Sequence, residues 1–333
     1  MNNFLIEGHW LPLAFAFLMG LAILLYVILD GYDLGIGILL NLANDKEKDA
    51  MIASIGPFWD ANETWLVLGV GILLVAFPFA HGVILTALYL PATLMLMALI
   101  LRGVSFDFRV KVAENHKHLW NKLFFAGSLM ATFLQGYMLG IYVMGFKNDL
   151  IVQLFSILTG ICVVAGYAFI GAGFLIMKTT GQLQIKAIKW AKISLWFTAI
   201  GIILISLATP AANDFIFNKW FTMPNIILLA PIPLITATII VFLSFILSKM
   251  PLANDRLAHI PFVGAVAIFI LCFHGLAYSF YPFIIPQKMT IFEAAASLDS
   301  LLIIFIAAVI VLPCIVGYTI FVYRVFWGKV QVK

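Results

Sequence analysis

The segment Gly56–Trp65, which reads Gly-Pro-Phe-Trp-Asp-Ala-Asn-Glu-Thr-Trp, opens a long apolar run although it holds two carboxylates, an amide and two indoles. Asp60 and Glu63 are three residues apart, so they would share one face of a helix. A second pair with this spacing, Asp30 and Asp33, lies in the preceding apolar run. Ionised carboxylates are costly in a bilayer and often mark an ion or proton route. The two acid pairs are therefore the first candidates for a functional site.

The composition indicates an integral membrane protein. Of the 333 residues, 64% are hydrophobic and only 10% are charged, with a mean hydropathy of +1.11, whereas soluble domains carry about 25% charged residues. Long apolar runs without strict alternation favour helices over a membrane barrel. The net charge of +4 is too small to indicate a nucleic-acid partner. The predicted fold class is all-α.

Nine runs reach the roughly 20 apolar residues that a transmembrane helix needs, within a single polytopic domain of residues 1–333. The second and third runs form one apolar stretch, which we divide at Phe77–Gly82 because this segment carries turn residues. The predicted spans are 11–40, 57–78, 80–101, 122–146, 151–177, 193–213, 225–248, 260–282 and 296–323.

The distribution of basic residues predicts the orientation of the chain. Cytoplasmic loops of membrane proteins are enriched in Lys and Arg. With the N-terminus outside and the C-terminus in the cytoplasm, only Lys147, Lys219 and Lys288 of the 19 basic residues would lie outside. The N-terminal residues lack a basic region and a small-residue cleavage site, so we expect an uncleaved first helix.

This orientation places the acidic motifs on one side of the membrane. Both acid pairs would lie toward the cytoplasmic surface, where Arg102 is predicted to end the third helix and Asp107 follows it. Neighbouring carboxylates and burial both raise a carboxyl pKa. We therefore expect these groups to converge and to exchange protons near neutral pH.

Four of these residues also have a structural interpretation. Asp60 and Glu63 sit at a helix N-terminus, where the helix dipole favours acids. Asp33 could be interfacial if the first helix leaves the membrane near Leu29, and Arg102 could be an anchor on the basic side. These interpretations do not readily explain why four acids, Asp30, Asp33, Asp60 and Glu63, occur together in two neighbouring apolar runs.

Cysteine and histidine patterns do not predict a metal or haem site. Cys162, Cys272 and Cys314 lie in apolar runs and form no Cys-x-x-Cys pair. His274 lies in the middle of the eighth span, but no second helix offers the facing histidine that a bis-His haem needs. We interpret His274 as a hydrogen-bonded packing residue and expect neither a metal site nor a catalytic residue in this chain.

At this point the sequence resembles subunit II of the cytochrome bd-type quinol oxidases. The similar segments are Leu29–Gly35, Ser54–Trp65, Phe106–Arg109 and Tyr281–Pro286, which occur in the family order. The resemblance extends over nearly the whole chain, from residue 21 to residue 328. A Trp-Asp-x-Asn-x-x-Trp segment together with Asp-Gly-Tyr-Asp at this spacing is hard to obtain by chance.

The resemblance implies a heterodimer with a larger subunit I that holds two b-type haems, one d-type haem and the quinol site. The complex would oxidise quinol and reduce oxygen to water in a bacterial or archaeal cytoplasmic membrane. The chain itself would form two four-helix bundles, at about 1–146 and 151–282, and a peripheral helix at 296–323. The family also leaves open a structural quinone and a small accessory subunit.

The resemblance further implies that Asp30 and Asp60 belong to a path for cytoplasmic protons. The predicted proton-path residues are Asp30, Asp60, Asp33, Glu63, Arg102 and Asp107, and the supporting motif residues are Trp59, Asn62 and Trp65. A proton-coupled secondary transporter is the alternative, because intramembrane acids and broken helices also suit one. A third hypothesis is an assembly scaffold in which the acids contribute stability only.

Overall fold

The computed structural model describes residues 10–113, 116–252 and 255–330. The residues on which the expectation of an uncleaved first helix depends lie mostly outside these ranges. In chain order the elements are α1 (Leu11–Leu39), a 3₁₀ turn (Leu40–Leu42), α2 (Asp45–Ile55), α3 (Trp59–Ala76), α4 (Pro78–Lys111), α5 (Lys117–Val143), α6 (Leu150–Lys178), α7 (Gly181–Ala212), α8 (Asp214–Phe221), α9 (Asn225–Leu229), α10 (Pro231–Lys249), α11 (Ile260–Phe280), β1 (Phe283–Ile285), β2 (Met289–Thr290), α12 (Ile291–Ala294) and α13 (Leu298–Val325).

Within the described residues, nine helical segments are long and apolar enough to cross a membrane, which confirms the predicted number. The predicted division of the second and third spans is also confirmed. Phe77 leaves the helical conformation (φ −132°, ψ 58°) and Pro78 begins α4. Proline suits a helix start because its missing N–H would have no intrahelical partner there.

Two helices extend well beyond their predicted spans. The third span continues to Lys111 instead of ending near Arg102, and the sixth begins at Gly181. The added part of α7 buries Leu183, Ala187 and Ala191 at a spacing of four residues, which is the helical period. Hydropathy detects the stretch that fits the bilayer, but the helix continues for as long as one face is packed.

The described chain divides into two compact units. The first unit comprises the chain up to Asp30 together with Pro57–Ala87 and Phe280–Gly328, and the second comprises Gly31–Gly56, Leu88–Ser279 and the chain from Lys329. The predicted grouping into two four-helix bundles and a peripheral helix stays a prediction.

In the first unit, α1, α3 and α13 pack through apolar side chains. Trp65 of α3 packs with Ala22 and Tyr26 of α1, with Ile315 of α13 at the edge of this cluster. The β1–β2 hairpin is antiparallel, and it joins α11 to α12.

In the second unit, α5 and α6 approach each other at small residues. A methyl group on Gly136 would lie 2.7 Å from the Cα of Gly160, and one on Gly140 would lie 2.5 Å from the Cα of Ser156. Real Cβ atoms are not found at such short distances from other atoms. The two backbones can therefore approach this closely only because these positions are glycines. The Gly-x-x-x-Gly spacing at Gly136 and Gly140 therefore marks a helix contact.

Candidate functional site

The first acid pair lies on a buried part of α1. Asp30 is 0% exposed and Asp33 is 1% exposed. The helix runs without interruption to Leu39, so Asp33 is not an interfacial residue at a helix end near Leu29. The pair is inside the protein, where an ionised carboxylate needs compensating polar groups.

Glycines permit the close packing of this part of α1 against α6. A methyl group on Gly35 would lie 1.8 Å from the carbonyl oxygen of Tyr167, and one on Gly31 would lie 3.1 Å from the ring of Tyr167. The neighbouring Tyr32 is fully buried and stacks on Phe174, with ring centroids 4.1 Å apart. Within the Asp-Gly-Tyr-Asp motif, Gly31 therefore packs near the ring of Tyr167 and Tyr32 stacks on Phe174, and the backbone contact with α6 follows the motif at Gly35.

The second acid pair lies in the first turns of α3 and is more accessible. Asp60 is exposed and Glu63 is partly exposed, so the two side chains differ in their surroundings although three residues separate them. Asp60 lies in the first helical turn, where the helix dipole favours an acid. The helix dipole explains why an acid is favoured at this position. It does not explain why the side chain is exposed on the surface of an apolar helix.

Asn62, between these acids, makes two hydrogen bonds to other helices. Its Nδ2 donates to the carbonyl oxygen of Leu29 at 3.3 Å, and its Oδ1 accepts from the hydroxyl of Tyr323 at 3.1 Å. The side chain is 0% exposed. Asn62 therefore ties the start of α3 to the residue that precedes Asp30 on α1 and to the end of α13.

The two tryptophans of the motif differ in burial. Trp59 is partly exposed, whereas Trp65 is 4% exposed and belongs to the apolar cluster with Ala22 and Tyr26. Within the described residues, the indole Nε1–H of Trp65 has no hydrogen-bond acceptor. Trp65 thus contributes mainly packing, and its N–H is a buried polar group beside the acidic segment.

Arg102 does not end the third helix, contrary to the prediction. It lies inside α4, is 2% exposed, and its backbone contacts Gly127 of α5, where a methyl group would lie 2.9 Å from the Arg102 nitrogen. The helix continues because no proline follows, and because Arg109 and Lys111 in its last turn suit the negative end of the helix dipole. Asp107 is exposed and lies on the continued helix, not in a loop.

The sequence interpretation missed an ion pair at the end of α4. Arg109 is 4% exposed; its Nη2 lies 2.7 Å from Oδ1 of Asp49, and its Nε donates to Oδ1 of Asn121 at 2.5 Å. Asp49 and Asn121 are distant from Arg109 in sequence, so no local pattern indicates this contact.

A second missed pair involves Glu47 of α2. Glu47 forms a capping box with Asn44, and it accepts a hydrogen bond from Lys186 at 2.7 Å. Burial acts to raise the pKa of Glu47, but the bonds from Lys186 and from the Asn44 backbone outweigh it and lower the pKa from its usual value. Glu47 therefore stabilises the fold as an ion.

The candidate residues are distributed over both units. The first unit holds Asp30, Asp60 and Glu63, and the second holds Asp33, Arg102 and Asp107. Within the first unit, the Asn62 hydrogen bonds link the two helices that carry Asp30 and Asp60. The convergence of all six groups stays a prediction.

The histidines and cysteines of the described ranges have the following surroundings. No group of three or more His, Cys, Asp or Glu side chains there is arranged to hold a metal ion, and the three cysteines are free thiols. His274 is exposed, and its Nδ1 lies 2.9 Å from the carbonyl oxygen of Ile270 in the same helix. The hydrogen bond agrees with the predicted role of a hydrogen-bonded packing residue, whereas the exposure of the ring shows that it is not enclosed by the described part of this chain.

The fold and the acidic motifs define a polytopic helical membrane protein with carboxylates inside its spans. Residues 11–326 match the family described as cytochrome bd terminal oxidase subunit II. The chain belongs to this family, and the match favours an oxidase over the proton-coupled transporter.

Individual relatives agree with this assignment. The chain is 29% identical to cytochrome bd ubiquinol oxidase subunit 2 of Bacillus subtilis, over 92% of this chain and 93% of the relative. It is 25% identical to cytochrome bd-I ubiquinol oxidase subunit 2 of Escherichia coli K12, over 94% and 93%. The solved structure of bd oxidase from Geobacillus thermodenitrificans has a similar chain, with a TM-score of 0.76, 18% identity and coverage of 95% and 98%. At that identity, the structural match supports the fold alone.

Proposed function

We propose that this chain is the haem-free subunit of a quinol-oxidising, oxygen-reducing complex and forms part of the inlet for cytoplasmic protons. The relatives from Bacillus subtilis and Escherichia coli are subunits of ubiquinol oxidases by name. The proposed partner is a subunit I, which would carry the haems and the quinol site. Among the described histidines, His274 alone lies in mid-span, which does not fit a bis-His haem site in this chain.

The observation that carries the inlet proposal is the contrast between two acids. Asp60 is exposed in the first turn of the apolar helix α3, whereas Asp30 is fully buried on α1. Asn62 of α3 donates a hydrogen bond to Leu29 of α1 and so connects the two helices. A carboxylate toward lipid is costly, so an exposed one in a spanning helix should face water or another protein. Asp60 would receive protons and Asp30 would pass them on inside the chain.

The exposed side of α3 suits a protein partner. Asp60, Thr64 and Val67 are exposed at spacings of four and three residues, so they form one stripe along the helix. Val67 is 71% exposed. An acid and a hydroxyl at the start of this stripe, followed by apolar residues, would contact subunit I near the cytoplasmic surface while keeping the acid hydrated.

The substitution Asp60→Asn tests the proposal, with Asp299→Asn as the matched control. Asp299 is also an exposed acid in the first turn of a spanning helix, α13. Removal of a positioned proton-transfer group should slow oxygen consumption by the purified complex about tenfold or more, with haem content and quinol binding unchanged. The Asp299→Asn complex should match the wild type.

Two other outcomes would refute the inlet. If both variants lost the same small amount of stability and no turnover, Asp60 would serve the helix dipole only. If neutralising all four motif acids affected assembly but not the rate of the assembled complex, the scaffold hypothesis would be correct. Co-purification with a haem-bearing subunit I is expected in every variant that assembles.

A further inference from the structure

We propose that Tyr323 is a positioning residue for the acidic start of α3, an inference that rests on the proposed proton inlet. Tyrosines near span ends commonly anchor a helix at the membrane interface, and the sequence alone suggests this role for Tyr323. The contacts of Tyr323 are more specific than an anchor needs. It bonds to the amide that lies between Asp60 and Glu63.

The first observation is a chain of hydrogen bonds across three helices. The hydroxyl of Tyr323 on α13 donates to Oδ1 of Asn62 on α3, and Nδ2 of Asn62 donates to the carbonyl oxygen of Leu29 on α1. The amide uses its acceptor on one side and its donor on the other, so its orientation is fixed. Leu29 immediately precedes Asp30, and Asn62 lies two residues after Asp60. These hydrogen bonds therefore fix the positions of Asp30 and Asp60 relative to each other along the helix axes.

The second observation is the packing of the Tyr323 ring on Phe58. The two ring centroids are 4.6 Å apart, and Phe58 is 1% exposed. Phe58 occupies the N-cap position of α3. A phenyl ring cannot accept a hydrogen bond from the N–H groups of the first turn, whereas Asn44 and Thr290 do so at the starts of α2 and α12.

The start of α3 thus depends on tertiary contacts. A helix whose N-cap side chain makes no capping hydrogen bond lacks the stabilisation that such a cap gives to its first turn. In α3 this turn carries Asp60. The ring of Tyr323 covers the N-cap residue and its hydroxyl holds the amide one turn further on, so the two contacts together fix the backbone that presents Asp60.

The substitution Tyr323→Phe separates the hydroxyl from the ring, because it removes the bond to Asn62 and keeps the contact with Phe58. Tyr318→Phe is the matched control, since Tyr318 lies on the same helix and is 61% exposed. Oxygen consumption by the purified complex should be measured from acidic to alkaline pH, together with haem content. Tyr323→Phe should lower turnover about fivefold, the effect expected for one hydrogen bond, and Tyr318→Phe should have no effect.

The pH profile distinguishes positioning of the inlet from a general loss of stability. If proton uptake becomes limiting, the deficit of Tyr323→Phe should widen as the pH rises and protons become scarce. In an Asn62→Ala background the same substitution should add little, because the bonded partner is already absent. A Tyr323→Phe complex with wild-type turnover, or with a deficit that does not change with pH, would overturn the inference.

The Asp60→Asn complex, measured in parallel, separates this inference from the proposed function. An impaired Asp60→Asn beside a normal Tyr323→Phe would overturn only the positioning role. A normal Asp60→Asn would remove the inlet and the positioning role together.

Discussion

The two acidic segments have the same residue spacing but opposite surroundings. On α1, Asp30 and Asp33 are buried, and the glycine that follows them contacts the backbone of α6. On α3, Asp60 is exposed, and the buried polar side chain between the two acids is the amide of Asn62. An identical i,i+3 pattern therefore gives an internal site in one helix and a surface site in the other.

This difference follows from the residues between and after the acids. Small residues such as Gly31 and Gly35 let a neighbouring helix approach the acids of α1. The segment on α3 has two indoles instead, and Trp65 occupies the packed side of that helix. Bulk on the packed side turns Asp60 outward, where a partner or water can reach it.

The largest effect should come from adding a methyl group at the contact between Gly35 of α1 and the backbone of α6. A methyl group at Gly35 would lie 1.8 Å from a backbone oxygen, whereas one at Gly317 of α13 would meet nothing within 4 Å. Gly35→Ala should destabilise the fold by about 3 kcal/mol or more because backbone must move, and it should sharply reduce the yield of assembled complex. Gly317→Ala should assemble normally. Equal yields would mean that the contact is looser than the structure indicates.

The next effect separates the buried acid from the exposed one. Asp30→Asn should reduce oxygen consumption about a hundredfold, which is the lower end of the range for general acid–base catalysis, and Asp60→Asn should reduce it only about tenfold. The reason is that water can partly replace an exposed carboxylate but cannot reach the position of a buried one. Rates should be normalised to haem content. A larger loss at Asp60 than at Asp30 would reverse the proposed order of the two groups.

The smallest effect concerns acids that stabilise the fold as ions. Glu47→Gln should lower the free energy of unfolding by about 1–2 kcal/mol, because it weakens the capping box of α2 and removes the ion pair between Glu47 and Lys186. Asp45→Asn, which alters an exposed pair with Lys48 on the same helix, should have almost no effect. Thermal inactivation of the complex at neutral pH measures both.

The pH dependence of this stability has a definite sign. The folded pKa of Glu47 is lowered, so its contribution is present above its ordinary pKa of 4.5 and disappears as the pH falls through the folded value. The difference between wild type and Glu47→Gln should therefore be full at neutral pH and shrink in acid. A difference that grew in acid would contradict the ion pair.

Much of the fold follows from the sequence because a bilayer limits the options. The nine spans and the break before Pro78 depend on local apolar length and on one proline. The Gly136–Gly140 contact is likewise readable from small-residue spacing. The ends of α4 and α7 were not predictable from hydropathy, because their polar extensions are held by tertiary partners such as Asp49.

The candidate site was predictable in its residue types and not in its geometry. The cost of carboxylates in apolar runs pointed to Asp30 and Asp60 directly. The hydrogen bond between Asn62 and Tyr323 joins residues 261 positions apart, and no local pattern records it. The exposure of Asp60 also depends on which face of α3 packs, which spacing alone leaves open.

Proton uptake during a single turnover tests the central claim most directly. Fully reduced complex would be mixed with oxygen in a weakly buffered solution containing a pH indicator dye, and uptake would be followed together with haem oxidation. For Asp60→Asn we predict slowed uptake and a matching delay in the last oxidation steps, while Asp299→Asn behaves as the wild type. Uptake by Asp60→Asn at the wild-type rate, in a complex with full haem content, would contradict the inlet.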